Sequence, residues 1–366
     1  MITQSSSSAS TVSQNAGANN NVVVTTNTIN STVAAGNSST FPFTGNVSVM
    51  GGIKPDQGKS PQYDNPNAIN LNYQIGNWTW SLNGATEFTG MSNSSYGNAM
   101  GAGNQNTMLN TWGFTGGYNF QNGLTTSMNV SYLNWRSQSS SPAAGIFPVL
   151  VTGYQLAPTM TYVNGNSTYA LAMYYQVLGS SNGILAVSSS AGFPPNGITG
   201  TWNGQNGESF SIFPMYTNQV STAFSYSTGV QIQQANDNYL ILTQAVDNDS
   251  NNNIILHPIM LSYNVASIPG LNLNLDTRYY YNNTVKNDPM QTNIGAIAGS
   301  TRVCVYPGIA YTKSITSSLS WVTNAQVYGK WYTNNMNGQI GQTPNGKGNI
   351  STNYGGQIYS GFNYSF

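Results

Sequence analysis

From about Phe41 onward, apolar and polar residues alternate along the chain in segments of roughly ten to fourteen residues. Ile69, Leu71, Tyr73 and Ile75 share one parity, while Asn70, Asn72 and Gln74 take the other. Trp78, Trp80, Leu82 and Phe88 oppose Thr79, Ser81, Asn83 and Glu87, and Trp112, Phe114, Tyr118 and Phe120 oppose Thr111, Thr115 and Asn119. Tyr169, Leu171, Met173, Tyr175 and Val177 form another apolar row. So do Leu271, Leu273, Leu275, Tyr279 and Tyr281, and then Trp321, Ala325, Val327 and Trp331. Strand side chains point alternately to opposite faces, so each segment is read as a strand with one apolar and one polar face. Turn chemistry falls at Gln121-Asn-Gly123, Asn164-Gly165, Ser267-Ile-Pro-Gly270 and Thr316-Ser-Ser318. Long polar stretches fall at 54–67, 91–106, 137–148, 284–301 and 334–352. Short turns alternating with long loops predict an all-β, antiparallel, up-and-down barrel.

Composition narrows the solvent on either side of that barrel. Charged residues make up 5% of the chain, against about 25% in ordinary soluble domains. Hydrophobic residues make up 39%, and Asn, Ser, Thr, Gln and Gly supply most of the polarity. No run approaches the roughly 20 apolar residues of a membrane-spanning helix. Such a chain crosses a bilayer only as a closed barrel, with every backbone group paired. The 24 Tyr, 12 Phe and 7 Trp argue against disorder as the explanation of so polar a composition. With a formal net charge of zero, the chain has no basic surface for nucleic acid.

Residues 1–40 are low-complexity Ser, Asn, Thr, Ala, Gly and Val, read as a flexible tail or a plug of the lumen. The barrel is expected over 41–366. Its strand count turns on residues 179–220. If Ile198–Trp202 and Phe210–Tyr216 form an additional hairpin the total is sixteen, the favoured count; if the stretch is one inward-folded loop it is fourteen. The start Ile-Thr-Gln after Met1 contains no secretory signal, so a mature chain behind an added methionine is expected.

The C-terminus carries the most specific motif. Ile358, Phe362, Tyr364 and Phe366 share one face of a terminal strand, with Gln357, Gly361, Asn363 and Ser365 on the other. A chain that stops on an aromatic in this way resembles the closing strand of bacterial outer-membrane β-barrels of porin type. That resemblance implies recognition by the barrel assembly machinery, a periplasmic C-terminus, contact with outer-membrane lipid and lipopolysaccharide, and a homotrimer as one assembly open to it.

Few residues are left to carry chemistry. His257, the single histidine, shares parity with Ile255, Ile259, Leu261 and Tyr263, which directs it to lipid and away from any Ser-His-acid site. No Gly-x-Ser-x-Gly elbow is present, and no enzymatic activity is expected. Asp247-Asn-Asp249-Ser-Asn251-Asn-Asn253 places oxygen ligands at alternate positions but lacks the glycine and terminal glutamate of a calcium loop, so an external loop is the expectation. Neither a metal nor a cofactor is expected. By parity Glu87, Asp276, Arg278, Arg302 and Lys330 point inward and are the candidate pore-lining residues. Lys54, Asp56, Lys59 and Asp64 are assigned to an external loop, and Cys304 to the lumen with Arg302 and Tyr306. The expected function is passive diffusion of small hydrophilic solutes through a neutral, weakly ion-selective lumen. Two rivals stay open: a structural or surface-interaction barrel with an occluded lumen, and a transporter of hydrophobic compounds with an N-terminal hatch.

Overall fold

The computed structural model describes residues 43–55, 62–95, 102–120, 122–141, 145–181, 183–186, 199–202, 205–241, 245–285, 297–337 and 350–366. Residues 1–42, and with them the expected tail or plug, lie outside the described residues. The strands are β1 (Phe43–Lys54), β2 (Gln62–Ile75), β3 (Trp78–Ser95), β4 (Ala102–Asn119), β5 (Leu124–Ser141), β6 (Gly145–Asn164), β7 (Ser167–Ser181) and β8 (Gly183–Ala186). They continue as β9 (Thr199–Trp202), β10 (Gln205–Gln219), β11 (Phe224–Ile241), β12 (Ala245–Asn264), β13 (Leu271–Val285), β14 (Ile297–Ser314), β15 (Leu319–Asn337) and β16 (Ile350–Ser365).

Fourteen of these close an antiparallel barrel in which every strand pairs with its neighbours in sequence, except that β7 pairs directly with β10. The favoured count of sixteen is corrected to fourteen. Phe210–Tyr216 does belong to the wall, inside β10, but Thr199–Trp202 pairs with Gly183–Ala186 in a separate two-stranded sheet. A four-residue strand is too short to span a bilayer, which needs about 9–11 residues per strand. Closure comes from β1 and β16, in register from Asn46↔Ser365 to Ile53↔Ile358. The Gly45 and Phe366 backbones exchange hydrogen bonds of 2.9 and 3.0 Å at the rim. Gly45 is small for a reason: a Cβ there would lie 2.7 Å from the Phe366 ring, which folds over it.

The apolar rows form the outer wall, and it is stratified. Near the short turns lie Phe43, Trp78, Phe120, Tyr162, Tyr169, Tyr263, Trp321, Tyr364 and Phe366, all exposed. Further along the strands come Val49, Ile69, Leu82, Met128, Val130, Leu156, Ile232, Ile309, Val327 and Ile358, also exposed. A second aromatic row follows with Phe88, Trp112, Tyr132, Tyr154, Tyr175, Phe210, Tyr279, Tyr281, Trp331 and Tyr354. An aliphatic band between two aromatic girdles is the wall of a barrel embedded in lipid. Polar groups in the girdle are satisfied locally: the Trp321 indole N–H donates to Ser360 Oγ at 2.7 Å, and that hydroxyl lies 2.9 Å from Thr323 Oγ1.

The short turns fall at the expected places, and glycine makes three of them tight, with Gly123 at φ +86°, Gly165 at φ +58° and Gly270 at φ +85°. Other expected loops are strand. Residues 62–67, 91–95 and 102–106 extend β2, β3 and β4. The run Asp247–Asn253, expected as an external loop, is the far half of β12, paired with β11 through Asp249↔Asp237 and with β13 through Ser250↔Val285. Here Gln233 faces Asn253, which faces Asn282. Amides pair across neighbouring strands as donor and acceptor at once, so an Asn-rich segment continues a ladder as readily as it turns.

The register shifts once in β3, where Ser92 and Asn93 stand opposite Asn104 alone, and again in β12. In β12 the register shifts on both sides, because His257 and Pro258 together stand opposite Arg278 alone, and Pro258 and Ile259 opposite Thr228 alone. This is a β-bulge, and it sits at the residue that has no N–H to give a ladder. Two threonines patch it: Thr228 Oγ1 donates to His257 O at 3.0 Å, and Thr277 Oγ1 donates to Ile259 O at 2.9 Å while accepting from Ile259 N at 3.2 Å. Above the bulge Ile254 and Leu256 face out; below it Ile259 and Tyr263 do. Removing Pro258 would therefore leave an unbroken alternation with every face preserved. Deleting this one residue is expected to shift urea unfolding by no more than about 1 kcal/mol. Failure of the deletion variant to fold would show that the bulge has a structural role of its own.

Candidate functional site

The inner wall is built first from neutral groups. Asn46 Nδ2 donates to Asn363 Oδ1 at 3.2 Å, and Asn70 Nδ2 to Asn46 Oδ1 at 3.1 Å, linking β16, β1 and β2. Asn129 donates to Thr115 at 2.7 Å, Asn272 to Ser262 at 2.8 Å, Gln231 to Ser211 at 3.0 Å and Gln357 to Gln326 at 3.3 Å. Each such bond joins neighbouring strands on the inward face. It satisfies the side chains without introducing charge.

Midway along the strands this wall is packed. Tyr174 on β7 is 2% exposed, Ser211 on β10 0%, Gln233 on β11 1% and Cys304 on β14 0%. Leu133, Ala172, Gln231, Asn253, Ile255, Tyr280, Tyr306 and Tyr359 are likewise buried, each close to the middle of its strand. Eight-stranded barrels are filled by their own interior side chains, whereas sixteen or more strands leave an aqueous channel. A fourteen-stranded barrel stands between them, and at mid-height these inward side chains are packed against one another and the wall.

The charged groups collect at the same level. Asp276 and Arg278 are two apart on the inward face of β13, and Arg278 Nε lies 2.6 Å from Asp276 Oδ2. An Arg278 terminal nitrogen donates to the Tyr280 hydroxyl at 3.1 Å, and the guanidinium carbon stands 4.6 Å from the Tyr306 ring centre. The Arg302 guanidinium lies 3.8 Å from the Tyr280 ring centre, and Lys330 Nζ 4.0 Å from that of Tyr328. Tyr306 and Tyr328 are themselves neighbours, with ring centres 6.1 Å apart. A cation over an aromatic face is attracted by the ring quadrupole, most strongly where water is thin. Three strands thus carry one continuous sheet of tyrosines and cations.

His257 belongs to this group, and its expected lipid-facing position is corrected. It is 6% exposed, its Nδ1 lies 3.1 Å from Asp276 Oδ1, and its ring centre is 5.1 Å from that of Phe213. The reason is the bulge: parity read up the strand from Tyr263 fails at Pro258, and every residue above it changes sides. A carboxylate that orients an imidazole is half of a hydrolytic triad. Among the described residues, the polar side chain bonded to this imidazole is Asp276, and no serine hydroxyl completes the set.

Glu87 lies apart from this group, on β3, where its carboxylate meets Lys54 Nζ at 3.5 Å with both side chains 12% exposed. Lys54 was expected in an external loop. Instead it is the last residue of β1, turned inward, with Nζ 5.6 Å from the Tyr359 ring centre. Asp64 falls in β2, while Asp56 and Lys59 lie outside the described residues. Lys54 was legible by parity with Asn46 and Ser48. The inward tyrosines 280, 306, 328 and 359 were also legible, as aromatics standing on otherwise polar faces. Among the described residues no cluster of His, Cys, Asp and Glu is arranged to hold a metal ion.

No known protein family matches the sequence, and no curated protein matches it either. Among solved structures, the chain is similar in arrangement to the CymD monoaromatic hydrocarbon channel, at 6% identity and a TM-score of 0.47, over 89% of this chain and 88% of that one. It is similar to the Ralstonia pickettii toluene transporter TbuX at 9% identity and a TM-score of 0.47, over 88% and 89%. It also resembles the translocator domain of the autotransporter NalP from Neisseria meningitidis at 11% identity and a TM-score of 0.43, over 88% of each chain. The fold assignment rests on the strand pairing itself.

Proposed function

We propose that this protein is a bacterial outer-membrane channel for passive diffusion of small hydrophilic solutes, with no enzymatic activity. The observation that carries the reading is the inner wall of hydrogen-bonded amides and hydroxyls inside a fourteen-stranded barrel. Such a wall exchanges hydrogen bonds with a passing solute and holds none of them by charge. The packed mid-level then sets the size of what passes. In this reading the C-terminus lies at the periplasmic rim, and Ile358, Phe362, Tyr364 and Phe366, all exposed on the outer wall, serve as the assembly signal. Residues 1–40, which contain no charged residue, are the segment suited to plugging the lumen.

Planar-bilayer recording tests this. The full chain is expected to give small, stable conductance steps, and deletion of residues 1–40 to enlarge them several-fold. Silence from both, with well-folded protein, would remove the channel reading and leave an occluded structural barrel. A second reading, transport of hydrophobic compounds, is favoured by Leu133, Phe213 and Ile255, apolar side chains on the inward faces of β5, β10 and β12. Uptake of a neutral aromatic into vesicles at rates well above those of sugars of similar size would favour it.

A further inference from the structure

The chain contains one histidine, and the bulge in β12 turns it into the inner wall. Gly229 on β11 stands directly opposite His257. A Cβ at Gly229 would lie 2.7 Å from Phe213 Cε2, so the Phe213 ring passes over the glycine and reaches the imidazole from β10. The charged groups come from β13. Asp276 meets His257 Nδ1 through one carboxylate oxygen, at 3.1 Å, and Arg278 Nε through the other, at 2.6 Å. Among the described residues, Asp276 and Arg278 are the charged side chains that face this imidazole. Strands β10 and β11 present Phe213, Gly229 and Thr228, none of which ionises. One strand further, on β14, Tyr306 lies against Arg278 and Cys304 stands opposite it.

An ionised carboxylate only accepts hydrogen bonds, so the proton of the neutral imidazole sits on Nδ1. Nε2 is then the atom that takes a second proton from water. The Nδ1–H donates to Asp276 in both states, so protonation alters the charge and leaves the packing in place. With the ring neutral, Arg278 and Asp276 cancel and the trio carries no net charge. With the ring protonated, the trio is a cation. Histidine is the side-chain type whose charge changes in the range of about pH 5 to 8, in which arginine, lysine and most carboxylates keep theirs.

We propose that His257 is a proton-sensing site that shifts the ion preference of the lumen toward anions when the surroundings turn acidic. The effect on ions rests on the channel reading; the uptake of the proton rests on the geometry of the trio. Lumen charges set selectivity in pores, and a cation added at this level acts on each ion that passes it.

Two measurements test this, one with ions and one without. Reversal potentials across planar bilayers are recorded for the full chain between about pH 7.5 and about pH 5. The anion-to-cation permeability ratio is expected to rise about threefold on acidification, the scale of one unit charge near a passing ion in moderate salt. H257Q, whose amide donates to Asp276 but takes no proton, is expected to show one ratio throughout. H257N serves if that variant does not fold. The second measurement uses the single imidazole. Full-length protein, isotope-labelled at histidine and folded in detergent without a histidine tag, gives one ring signal by NMR, which is expected to move over the same range. A conducting parent with a constant ratio, a ratio that moves as much in H257Q, or a ring signal that stays fixed overturns the proposal. Bilayers silent to well-folded protein whose ring signal moves overturn the channel reading and leave the proton site standing.

Discussion

Replacing Arg278 with alanine is expected to destabilise the folded barrel by about 3–5 kcal/mol, the cost of breaking a buried ion pair from one side. Asp276 would lose its 2.6 Å contact with the guanidinium and keep only His257, at 3.1 Å. The Tyr280 hydroxyl would lose its donor, and Tyr306 the cation over its face. The two side chains are 16% and 19% exposed, so some water reaches them and the lower end of the range applies. Asp276→Asn combined with Arg278→Gln is expected to recover most of the loss, since neutral amides of similar shape leave no unpaired charge. Urea unfolding of the three variants in lipid vesicles checks this. A loss under about 1 kcal/mol for Arg278→Ala would mean that solvent screens the pair as it does on an open surface.

Val327→Arg should be nearly as damaging, for a reason on the other side of the wall. Val327 is 60% exposed on the outer face of β15, in the aliphatic band between Trp321 and Trp331. A charge placed near the bilayer midplane costs about 2–4 kcal/mol in barrels of this kind. The same charge introduced at Asn324, inward on the same strand, meets a polar interior and is expected to cost much less. The comparison is read as the fraction of heat-modifiable, folded protein after dilution into vesicles, and as the urea midpoint of what folds. Equal tolerance of both variants would contradict lipid as the solvent of the outer wall.

The local pattern foretold much of this, and its failures are specific. The outward rows from Ile69 to Ile75, from Trp112 to Phe120 and from Leu271 to Tyr281 lie on one wall because alternation is a property of the extended backbone, independent of partners. The turns at Gly165 and Gly270 were equally local, a matter of which residues tolerate positive φ. The strand whose faces were misread is β12, where the bulge at Pro258 moves the parity by one residue. Parity carried across Pro258 put His257 in lipid; stopped at Pro258, it puts His257 beside Asp276.

Which faces are apolar, where the tight turns fall, and that so uncharged a chain with no long apolar helix must close into a barrel were determined by the sequence alone. Each follows from side-chain chemistry and backbone geometry within a few residues. That fourteen strands close the barrel was decided only in three dimensions, because β10 completes its hydrogen bonds against β7 and leaves β8 and β9 to each other. So was the gathering of His257, Asp276, Arg278, Arg302, Lys330 and their tyrosines into one sector. Register between neighbouring strands is a long-range quantity: a single extra residue in β12 sets which side chains meet, and no stretch of sequence taken by itself contains it.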